Sequence, residues 1–325
     1  MFFSVIIPVY NNSEYLQKNL KYLENQTFKD FEVIIVSENN FENEIKNYNL
    51  NSKFLYDRNI YLPGEKRNLA SKISKGNYLA FIDDDAYPSS DWLAVAYKSI
   101  IQHKNNKICL GGPGILCDDE TFFGKCADLF YTSDLFYSDS ERYKQNLKLN
   151  YTEVDDWPSV NFIISKSFFI EIEGFDIFYW PGEDSKICKK IYKNAGVIIY
   201  NSNLVIYHYK RSNIIKHIKQ IFRYGLHRGI FFKKLDSNSF KIKYLIPSIF
   251  FISHFIIFVN IKAFIIMISI YLFLLLLEFI ILKKQKNVLI FFILSRLIIY
   301  ISHLSYGFGF LLGILKNNYK ISLYR

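Results

Sequence analysis

The chain has 325 residues, of which half are hydrophobic and 18% are aromatic, enough to build a core. Its 40 Lys and Arg against 30 Asp and Glu give a formal net charge of +10. Four cysteines without C-x-x-C spacing argue against a zinc site, and we expect four reduced, mostly packed thiols.

The first third of the chain alternates predicted strands and helices. The strands are predicted over residues 3–9, 32–36, 53–56 and 78–82, and the helices over residues 13–25, 65–75 and 91–102. Ser13 is a suitable N-cap for the first helix. This alternation predicts an α/β fold with a mostly parallel sheet and helices on both faces. In such sheets ligands bind beyond the carboxyl ends of the strands.

Three polar loops fall at that edge of the predicted sheet. They are Pro8-Val9-Tyr10, Ser37-Glu38-Asn39 and Asp83-Asp84-Asp85. Three adjacent carboxylates repel one another and raise one another's pKa unless a cation neutralises them. Carboxylate oxygens suit Mg²⁺ or Mn²⁺, which leaves its other positions to substrate phosphates. Taken alone, the acids are also compatible with a solvated turn.

Together with Arg67-Asn68, these segments resemble the nucleotide-sugar-binding half of a family 2 glycosyltransferase of the GT-A fold, which is Rossmann-like. The resemblance covers roughly residues 1–235. It implies that the aspartate-any-aspartate motif, here Asp83 and Asp85, holds the metal of a nucleotide-diphosphate sugar. The implied donor-binding residues are Pro8, Tyr10, Glu38, Arg67, Asn68, Asp83 and Asp84.

The resemblance also suggests individual roles. Asp85 is the expected direct metal ligand, and Asp83 is expected to contact the metal or the ribose of the donor. His208, at the end of a later strand, is a candidate third ligand, although a structural histidine fits equally well. Arg67 is expected to contact phosphate or to hold the acidic loop. Family members usually carry two acids after the second strand, one of which binds the base; here Glu38 is the candidate for that role.

The second half supplies a candidate catalytic base. Trp180-Pro181-Gly182-Glu183-Asp184 precedes a predicted helix over residues 185–194 and resembles the glutamate-aspartate motif of the family. In the family, a carboxylate of this motif removes the proton from the acceptor hydroxyl, which is otherwise a poor nucleophile. We expect Asp184 to be this base, with Glu183 as the alternative or as its partner. Both acids also suit a helix N-terminus for dipole reasons alone.

Further residues are candidates for acceptor or diphosphate contacts. The resemblance places Trp157 and Asn161 near the donor sugar or acceptor, and Trp180 beside the acceptor; a buried structural tryptophan is the alternative for Trp157. Arg223 and Arg228 lie in a stretch found in membrane-attached members, where such arginines reach the diphosphate of a donor or a lipid-linked acceptor. Contact with lipid headgroups alone is the other interpretation.

The C-terminal part is predicted to be embedded in a membrane. A basic amphipathic segment over 213–244 precedes apolar runs over 245–259, 263–282 and 288–315, which predict two or three membrane helices. Lysines at the ends of these runs indicate cytoplasmic ends and contact with membrane lipids. The basic tail argues against three full crossings, so either the first run is re-entrant or interfacial, or the last does not cross.

The predicted domain organisation follows from these segments. It consists of a nucleotide-sugar-binding half (1–105), an acceptor-binding half (106–212), the basic interfacial segment (213–244), the membrane helices (245–315) and a basic tail (316–325). Because Pro8 interrupts the short N-terminal apolar run and no basic region precedes it, we expect no secretory signal and a cytoplasmic catalytic domain at the cell membrane.

The sequence therefore predicts a metal-dependent, inverting glycosyltransferase that uses a nucleotide-diphosphate sugar, a lipid-linked glycan acceptor and no nucleic acid. The alternative from another class is a non-catalytic GT-A module that binds nucleotide sugar or glycan and organises a membrane complex. A phosphotransferase lacks support because the sequence has no P-loop.

Overall fold

The computed structural model describes residues 1–103, 105–137, 139–235, 238–281 and 289–316. It divides into two compact units. The sheet unit consists of Met1–Cys117 and Glu141–Tyr209, and the helical unit consists of Asp118–Ser140 and the described residues from Lys210 to Lys316. Residues 118–140, which the sequence analysis assigned to the acceptor-binding half, thus belong to the helical unit.

The sheet unit contains both strands and helices, whereas the described part of the helical unit contains helices only. The strands are β1 (Phe3–Val9), β2 (Phe31–Ser37), β3 (Ser52–Tyr56), β4 (Tyr78–Ile82), β5 (Ala86–Pro88), β6 (Ile108–Gly111), β7 (Gly114–Ile115), β8 (Thr152–Glu153), β9 (Asn161–Ser165), β10 (Val197–Tyr200) and β11 (Ile206–His208). The helices are α1 (Glu14–Glu24), α2 (Glu42–Ile45), α3 (Pro63–Ile73), α4 (Trp92–His103), α5 (Phe122–Tyr131), α6 (Lys166–Glu171), α7 (Glu183–Lys193), α8 (Ile214–Lys233), α9 (Ile246–Ser253), α10 (Ile261–Ile281) and α11 (Leu289–Leu315).

The main sheet has eight strands in the order β3-β2-β1-β4-β9-β6-β10-β8. The strands from β3 to β4 are parallel, whereas β9 runs antiparallel to both β4 and β6. A second, three-stranded sheet has the order β5-β11-β7. The predicted α/β fold with a mostly parallel sheet is confirmed, and the antiparallel strand β9 is an addition to it.

Both faces of the central strands are buried, which is why β1 and β2 consist almost wholly of apolar residues. One face packs against α1 and α4 through side chains such as Leu16 and Trp92. The other face packs against α3, α6 and α7 through side chains such as Ala70 and Ile187. All four cysteines are buried, and none forms a disulfide among the residues described.

A buried carboxylate joins the first two strands to the loop before β4. Glu32 is fully buried on β2 and accepts hydrogen bonds from Ser4 Oγ at 2.7 Å and from the backbone N–H of Lys75. Lys53 Nζ lies 2.8 Å from its other oxygen. Burial raises the pKa of Glu32, but these donors outweigh it and hold the pKa below its ordinary value.

The helical unit is held together by close contact between α8 and α11. A Cβ added at Gly225 would lie 2.2 Å from the carbonyl oxygen of Tyr306, and one at Gly313 would lie 2.2 Å from that of Leu226. Because no side chain larger than hydrogen fits at these positions, the two backbones approach as they do in small-residue helix pairs of membrane proteins.

Two helices of this unit are long and apolar enough to cross a membrane by length and composition. Within them, the qualifying segments are Ile261–Glu278 in α10 and Ile293–Leu315 in α11. The first predicted run, over 245–259, instead forms the eight-residue helix α9 followed by a 3₁₀ segment, His254–Phe258. It is too short to span the hydrocarbon core, which requires about 20 helical residues.

Replacing Glu32 with glutamine tests the buried network. We expect Glu32→Gln to lower the free energy of unfolding by about 1–3 kcal/mol at neutral pH, because buried donors lose a charged acceptor. Since the folded pKa of Glu32 is lowered, its stabilisation is present above the ordinary pKa and is lost as the pH falls through the lowered value. The difference from the wild type should therefore shrink in acid.

The matched control is Glu171→Gln, which removes a surface ion pair with Lys107 and should cost less than about 0.5 kcal/mol. Thermal unfolding of the detergent-purified proteins measures both changes. Equal effects of the two substitutions would contradict the role assigned to Glu32.

Candidate active site

The candidate site lies where the carboxyl ends of β1, β2 and β4 meet. These strands are parallel neighbours, so the loops that follow them emerge at one edge of the sheet. Tyr10 follows β1, Glu38 follows β2 and Asp83 follows β4. The structure thus brings together the three polar loops that the sequence singled out.

The acidic loop is held rigidly by its neighbours. Asn19 is buried on α1, and its side-chain amide donates to the backbone carbonyls of Asp83 at 3.0 Å and Ala86 at 2.6 Å. On the far side of the loop, the backbone N–H of Tyr209 donates to the carbonyl of Asp85 at 3.1 Å. The acids are therefore presented on a backbone that is fixed at both ends.

Asp85 and His208 form the pair best placed to hold a divalent cation. His208 ends β11, which pairs with β5 so that His208 lies opposite Ala86. His208 Nε2 lies 3.3 Å from Asp85 Oδ1. Among the residues described, no three His, Cys, Asp or Glu side chains converge to form a metal cluster. A pair fits a hard cation that takes few protein ligands and completes its shell with phosphate oxygens.

Asp84 lies between the two aspartates of the motif. Burial, together with the charges of Asp85 and Asp83, raises its pKa to about 7. A bound cation would relieve this repulsion, so the electrostatics of the loop fit the metal that the motif implies.

Arg67 joins the acidic loop to the second carboxylate motif. It lies on α3, only 2% exposed, and donates to Asp83 Oδ1 at 2.6 Å while its other terminal nitrogen lies 3.5 Å from Glu183 Oε1. Burial lowers the pKa of Arg67. The neighbouring carboxylates, above all Asp83, raise it, and the net result is a raised pKa. Asp83 is therefore paired with Arg67 in this structure.

Glu183 and Asp184 differ in what their oxygens contact. Both stand in the first turn of α7, which follows Gly182 at a φ of 125°. Glu183 is buried and uses one oxygen toward Arg67 and the other to accept from the backbone N–H of Gly182 at 3.0 Å. Asp184 Oδ1 is buried and has no hydrogen-bond partner among the residues described. Of the carboxylate oxygens of this pair, Asp184 Oδ1 is thus the buried one that no hydrogen bond from a described residue occupies.

The pKa values of Glu183 and Asp184 are both shifted from their ordinary values. Burial raises the pKa of both Glu183 and Asp184, and the positive charge of Arg67 opposes that rise. The net direction is upward for both, which suits a group that must take up a proton near neutral pH.

Asn68 connects α3 to the loop before α7. Its side-chain oxygen accepts from the backbone N–H of Phe175 at 2.9 Å, and its nitrogen donates to the carbonyl of the same residue at 2.8 Å. In this structure the amide holds the loop that leads to Glu183, whereas the resemblance implied a donor contact.

Glu38 is engaged by a lysine that the sequence analysis did not single out. Lys66 is 3% exposed, and its ammonium donates to the carbonyl of Val9 at 2.6 Å and pairs with Glu38 at 3.3 Å. Burial lowers the pKa of Lys66, and the charge of Glu38 opposes this. The carboxylate expected to bind the nucleobase therefore already carries a cationic partner.

Pro8 and Tyr10 define the end of β1. Pro8 is buried within the strand, opposite Val36. The Tyr10 ring is 62% exposed, and its carbonyl accepts from Ser37 Oγ and the side-chain amide of Asn39. The exposed Tyr10 side chain thus stands just beyond the carboxyl end of β1.

Trp157 and Asn161 lie in the interior of the sheet unit. Trp157 is 2% exposed and donates through Nε1 to the carbonyl of Gly112. Asn161 is fully buried, accepts from Trp92 Nε1 at 2.9 Å and donates to the carbonyl of Leu204 at 2.6 Å. These contacts support the structural alternative for Trp157, and they give Asn161 a packing role as well.

The remaining candidates are distributed over both units. Trp180 is half-buried in the loop before α7, two positions after Phe178, which is 70% exposed. Arg223 and Arg228 lie on α8 of the helical unit. Arg228 donates to Ser239 Oγ at 2.8 Å and stacks on the ring of Tyr244.

Asn19 and Lys66 are the structural residues that sequence reasoning missed. A signal for Asn19 existed, because it is a polar residue on the apolar face of α1 formed by Leu16, Leu20 and Leu23. No comparable signal marks Lys66, since a lysine in the first turn of a helix is ordinarily solvated.

The profile of the family described as Glycosyl transferase family 2 matches residues 4–171. Glycosyltransferase GlyA of Streptococcus pneumoniae serotype 4 is 25% identical over 225 residues, which are 65% of this chain and 31% of that protein. The chain thus spans about a third of the length of GlyA.

Two further proteins are similar over different extents. The dolichyl N-acetyl-alpha-D-glucosaminyl phosphate 3-beta-D-2,3-diacetamido-2,3-dideoxy-beta-D-glucuronosyltransferase of Methanococcus voltae is 24% identical over 331 residues and covers 98% of both chains. The crystal structure of GalNAc-T7 with UDP, GalNAc and Mn²⁺ matches with a TM-score of 0.50 and 17% identity, over 65% of this chain and 43% of that one. That likeness shows the fold.

Substitutions at Arg67 test whether it joins the two carboxylate motifs. Arg67→Met leaves Asp83 and Glu183 without their shared cation, and we expect it to lower the free energy of unfolding by about 3–5 kcal/mol. The double variant Arg67→Met/Glu183→Gln removes one stranded charge and should be more stable than Arg67→Met alone. Thermal unfolding gives both values; additive losses would show that the two side chains are not coupled.

Proposed function

The chain belongs to glycosyl transferase family 2 and is a glycosyltransferase, and from that premise we propose the reaction that its site performs. It transfers one sugar from a nucleotide-diphosphate donor to a lipid-linked glycan acceptor, with inversion at the anomeric carbon and with a divalent cation. The sheet unit faces the cytoplasm at the cell membrane, where surface polysaccharide or glycan assembly takes place.

The observation that carries this proposal is the single buried guanidinium between two carboxylate motifs. Arg67 contacts Asp83 of the donor loop and Glu183 of the acceptor motif. A binding module needs only the first of these motifs, whereas transfer to a hydroxyl needs a leaving group and a base on opposite sides of one carbon. Their physical link supports an enzyme that engages both substrates at once.

Asp184 is the proposed catalytic base. Its Oδ1 is buried and has no hydrogen-bond partner within the described chain, and burial raises its pKa. An acceptor hydroxyl that enters the site would donate to this oxygen and transfer its proton as it attacks the anomeric carbon. Glu183 and Arg67 keep the adjacent charges fixed, so Glu183 acts as the positioning partner.

The residues of the acidic loop and its neighbours are proposed to bind the donor and to assist departure of the nucleoside diphosphate. Asp85 and His208 are the residues that would hold the cation, with Asp83 within the same loop. When bound, a divalent cation neutralises charge on the diphosphate leaving group. The exposed ring of Tyr10 is proposed to pack against the base, and the Lys66–Glu38 pair lies at the end of the adjacent strand.

The lipid-linked acceptor is proposed from the similarity to the Methanococcus voltae enzyme. That protein, which matches over nearly the whole of both chains, is named for a dolichyl-phosphate-linked sugar. In the present chain two apolar helices follow the sheet unit, and they would keep the enzyme at the membrane where such acceptors reside.

Separate roles for the two motifs predict different failures. In Asp85→Asn, Mn²⁺-dependent binding of the donor should weaken at least about tenfold, because a metal carboxylate is lost. In Asp184→Asn, donor binding should persist while transfer falls by about 10²–10⁴, the usual contribution of a general base. A nucleotide-sugar panel with Mn²⁺ or EDTA, scored by binding and by release of nucleoside diphosphate, measures both.

Asp30→Asn, a substitution of an exposed acid before β2 and so at the opposite end of the strands from both motifs, is the matched control and should behave as the wild type. Donor binding without any turnover, even after addition of membrane lipid extract, would favour the non-catalytic module. Loss of donor binding in Asp184→Asn would contradict the division of roles.

The raised pKa of the carboxyl pair predicts a pH dependence of transfer. The active base is the ionised carboxylate, so activity falls as the pH drops below its pKa. Because burial raises that pKa, the acidic limb of kcat/KM should lie above the ordinary aspartate value of about 3.9. Rates of the wild type and of Asp184→Asn across pH test this; the limb should disappear from the residual activity of the variant.

A further inference from the structure

An open groove on the sheet unit shares no residue with the candidate active site. Its volume is about 690 Å³, within the range of about 300–1,000 Å³ that ligand sites in proteins occupy. Helix α1 and the residue that caps its end supply Gln17, Lys18, Lys21, Tyr22 and Asn25, and Tyr48 and Ser90 complete the lining. All of these residues belong to the sheet unit.

Helix α1 has different surroundings on its two sides. The side that packs on the sheet carries buried leucines and also Asn19, whose amide holds the acidic loop. Lys18, Lys21 and Asn25 recur at intervals of three and four residues, so they share the other side of the helix. The groove therefore lies on the side of α1 that is turned away from the sheet.

The groove leads away from the acidic loop. Because α1 connects the parallel neighbours β1 and β2, it runs back from the carboxyl ends of the strands. Lys18 is thus nearer to that edge than Asn25, by about 10 Å of helix. Lys18 Nζ donates to Tyr209 Oη at 2.8 Å, and the backbone N–H of Tyr209 donates to the carbonyl of Asp85. A ligand in the groove would lie beside the transfer site and not in it.

Tyrosine rings stand along the same side of α1. Tyr22 packs against Tyr87 with the ring centroids 4.5 Å apart. Tyr15 packs in the same way against Tyr209 at 4.4 Å. Tyr87 is buried, whereas Tyr15 and Tyr22 are 42% and 37% exposed. Lys18 Nζ lies 4.3 Å from the centroid of the Tyr87 ring. The exposed rings are held by their neighbours, which lowers the entropic cost of packing a ligand against them.

The charge of the lining is positive. Lys18 and Lys21 contribute ammonium groups, and none of the described lining residues is acidic. Lys21 is exposed to solvent, where an anionic group can approach it, whereas Lys18 is engaged by Tyr209. A groove with cations and no carboxylate attracts a negatively charged ligand.

Neutral polar groups make up the rest of the lining. The amides of Gln17 and Asn25 offer both donors and acceptors, and so do the hydroxyls of Tyr22, Tyr48 and Ser90. The hydroxyls of a sugar ring are likewise both donors and acceptors. Single-stranded nucleic acid, in contrast, is bound by a groove of many cations that follows its phosphates. A lining in which neutral groups outnumber cations therefore favours a sugar chain.

We propose that this groove binds a negatively charged oligosaccharide at a site separate from that of sugar transfer. The ammonium of Lys21 pairs with an anionic substituent of the sugar chain. The exposed ring of Tyr22 packs against the apolar face of a sugar ring, and Gln17 and Asn25 form hydrogen bonds with its hydroxyls. Binding at this site does not require the transfer reaction.

Calorimetric titration of the detergent-purified full-length chain with a galacturonic acid hexamer tests the ligand class. The fully methyl-esterified hexamer has the same sugar rings without the charges, and it should bind at least about threefold more weakly. Hexathymidylate is a polyanion whose sugars lack free hydroxyls along the chain. Tighter binding of hexathymidylate than of the galacturonic acid hexamer would overturn the proposal, and so would a failure of that hexamer to bind.

Substitutions test whether the hexamer binds in the groove. Lys21→Glu replaces attraction with repulsion and should raise the Kd about three- to tenfold. Tyr22→Ala should also raise it about three- to tenfold, whereas Tyr22→Phe keeps the ring and should stay within about twofold of the wild type. The matched control is Lys72→Glu, at an exposed lysine of α3 on the other face of the sheet, which should change the Kd less than about twofold. Equal weakening by Lys21→Glu and Lys72→Glu would show attraction to the net positive charge alone and would overturn the proposal.

Donor binding separates this site from the transfer site. In Lys21→Glu, Mn²⁺-dependent binding of the nucleotide sugar should equal that of the wild type, because Lys21 lies outside both carboxylate motifs. Loss of donor binding in this variant would contradict the separation of the two sites. Since the hexamer and the donor are titrated independently, failure of one proposal leaves the other open to measurement.

Discussion

The buried guanidinium of Arg67 is the interaction on which the site depends. Asp83 and the Glu183-Asp184 pair come from opposite halves of the sheet unit, and bringing such carboxylates together in a buried place costs free energy through desolvation and repulsion. A lysine at this position would present a single point of charge, whereas the planar fork of arginine contacts both Asp83 and Glu183. Burial, and after it the repulsion from neighbouring carboxylates, still keeps the pKa of both Glu183 and Asp184 raised, which is the property that a base requires.

Sequence patterns predicted the central strands well because these strands are buried on both faces. Residues 3–9 and 78–82 form strands with the predicted bounds, and the acids after β4 stand at the sheet edge as expected. The direction of β9 could not be predicted, since an apolar run carries no information about whether its neighbour is parallel. The sequence also could not predict that residues 118–140 belong to the helical unit, because this depends on contacts with helices far along the chain.

The sequence singled out the acids of the candidate site but not the side chains that hold them in place. Asp83, Asp85 and Asp184 belong to spaced motifs, whereas the partners of Trp157 and Asn161 are backbone carbonyls and ring nitrogens whose positions follow from the complete fold. Similarly, the lysine that pairs with Glu38 comes from a helix remote in sequence. Motifs therefore reveal what a site can do, and tertiary contacts determine which oxygens remain free to do it.

Three successive residues at the start of α3 reach in three directions. Lys66 donates a hydrogen bond to the end of β1. Arg67 pairs with the two carboxylate motifs, and Asn68 forms hydrogen bonds with the loop before α7. Successive helical residues differ by about 100° around the axis, so the angular order of these three contacts is a property of the helix and not of any one side chain. Inserting or deleting one residue ahead of Lys66 would turn all three away from their targets together. The segment thus tolerates exchange of side chains far better than change of length, and natural relatives of this chain should differ in length elsewhere.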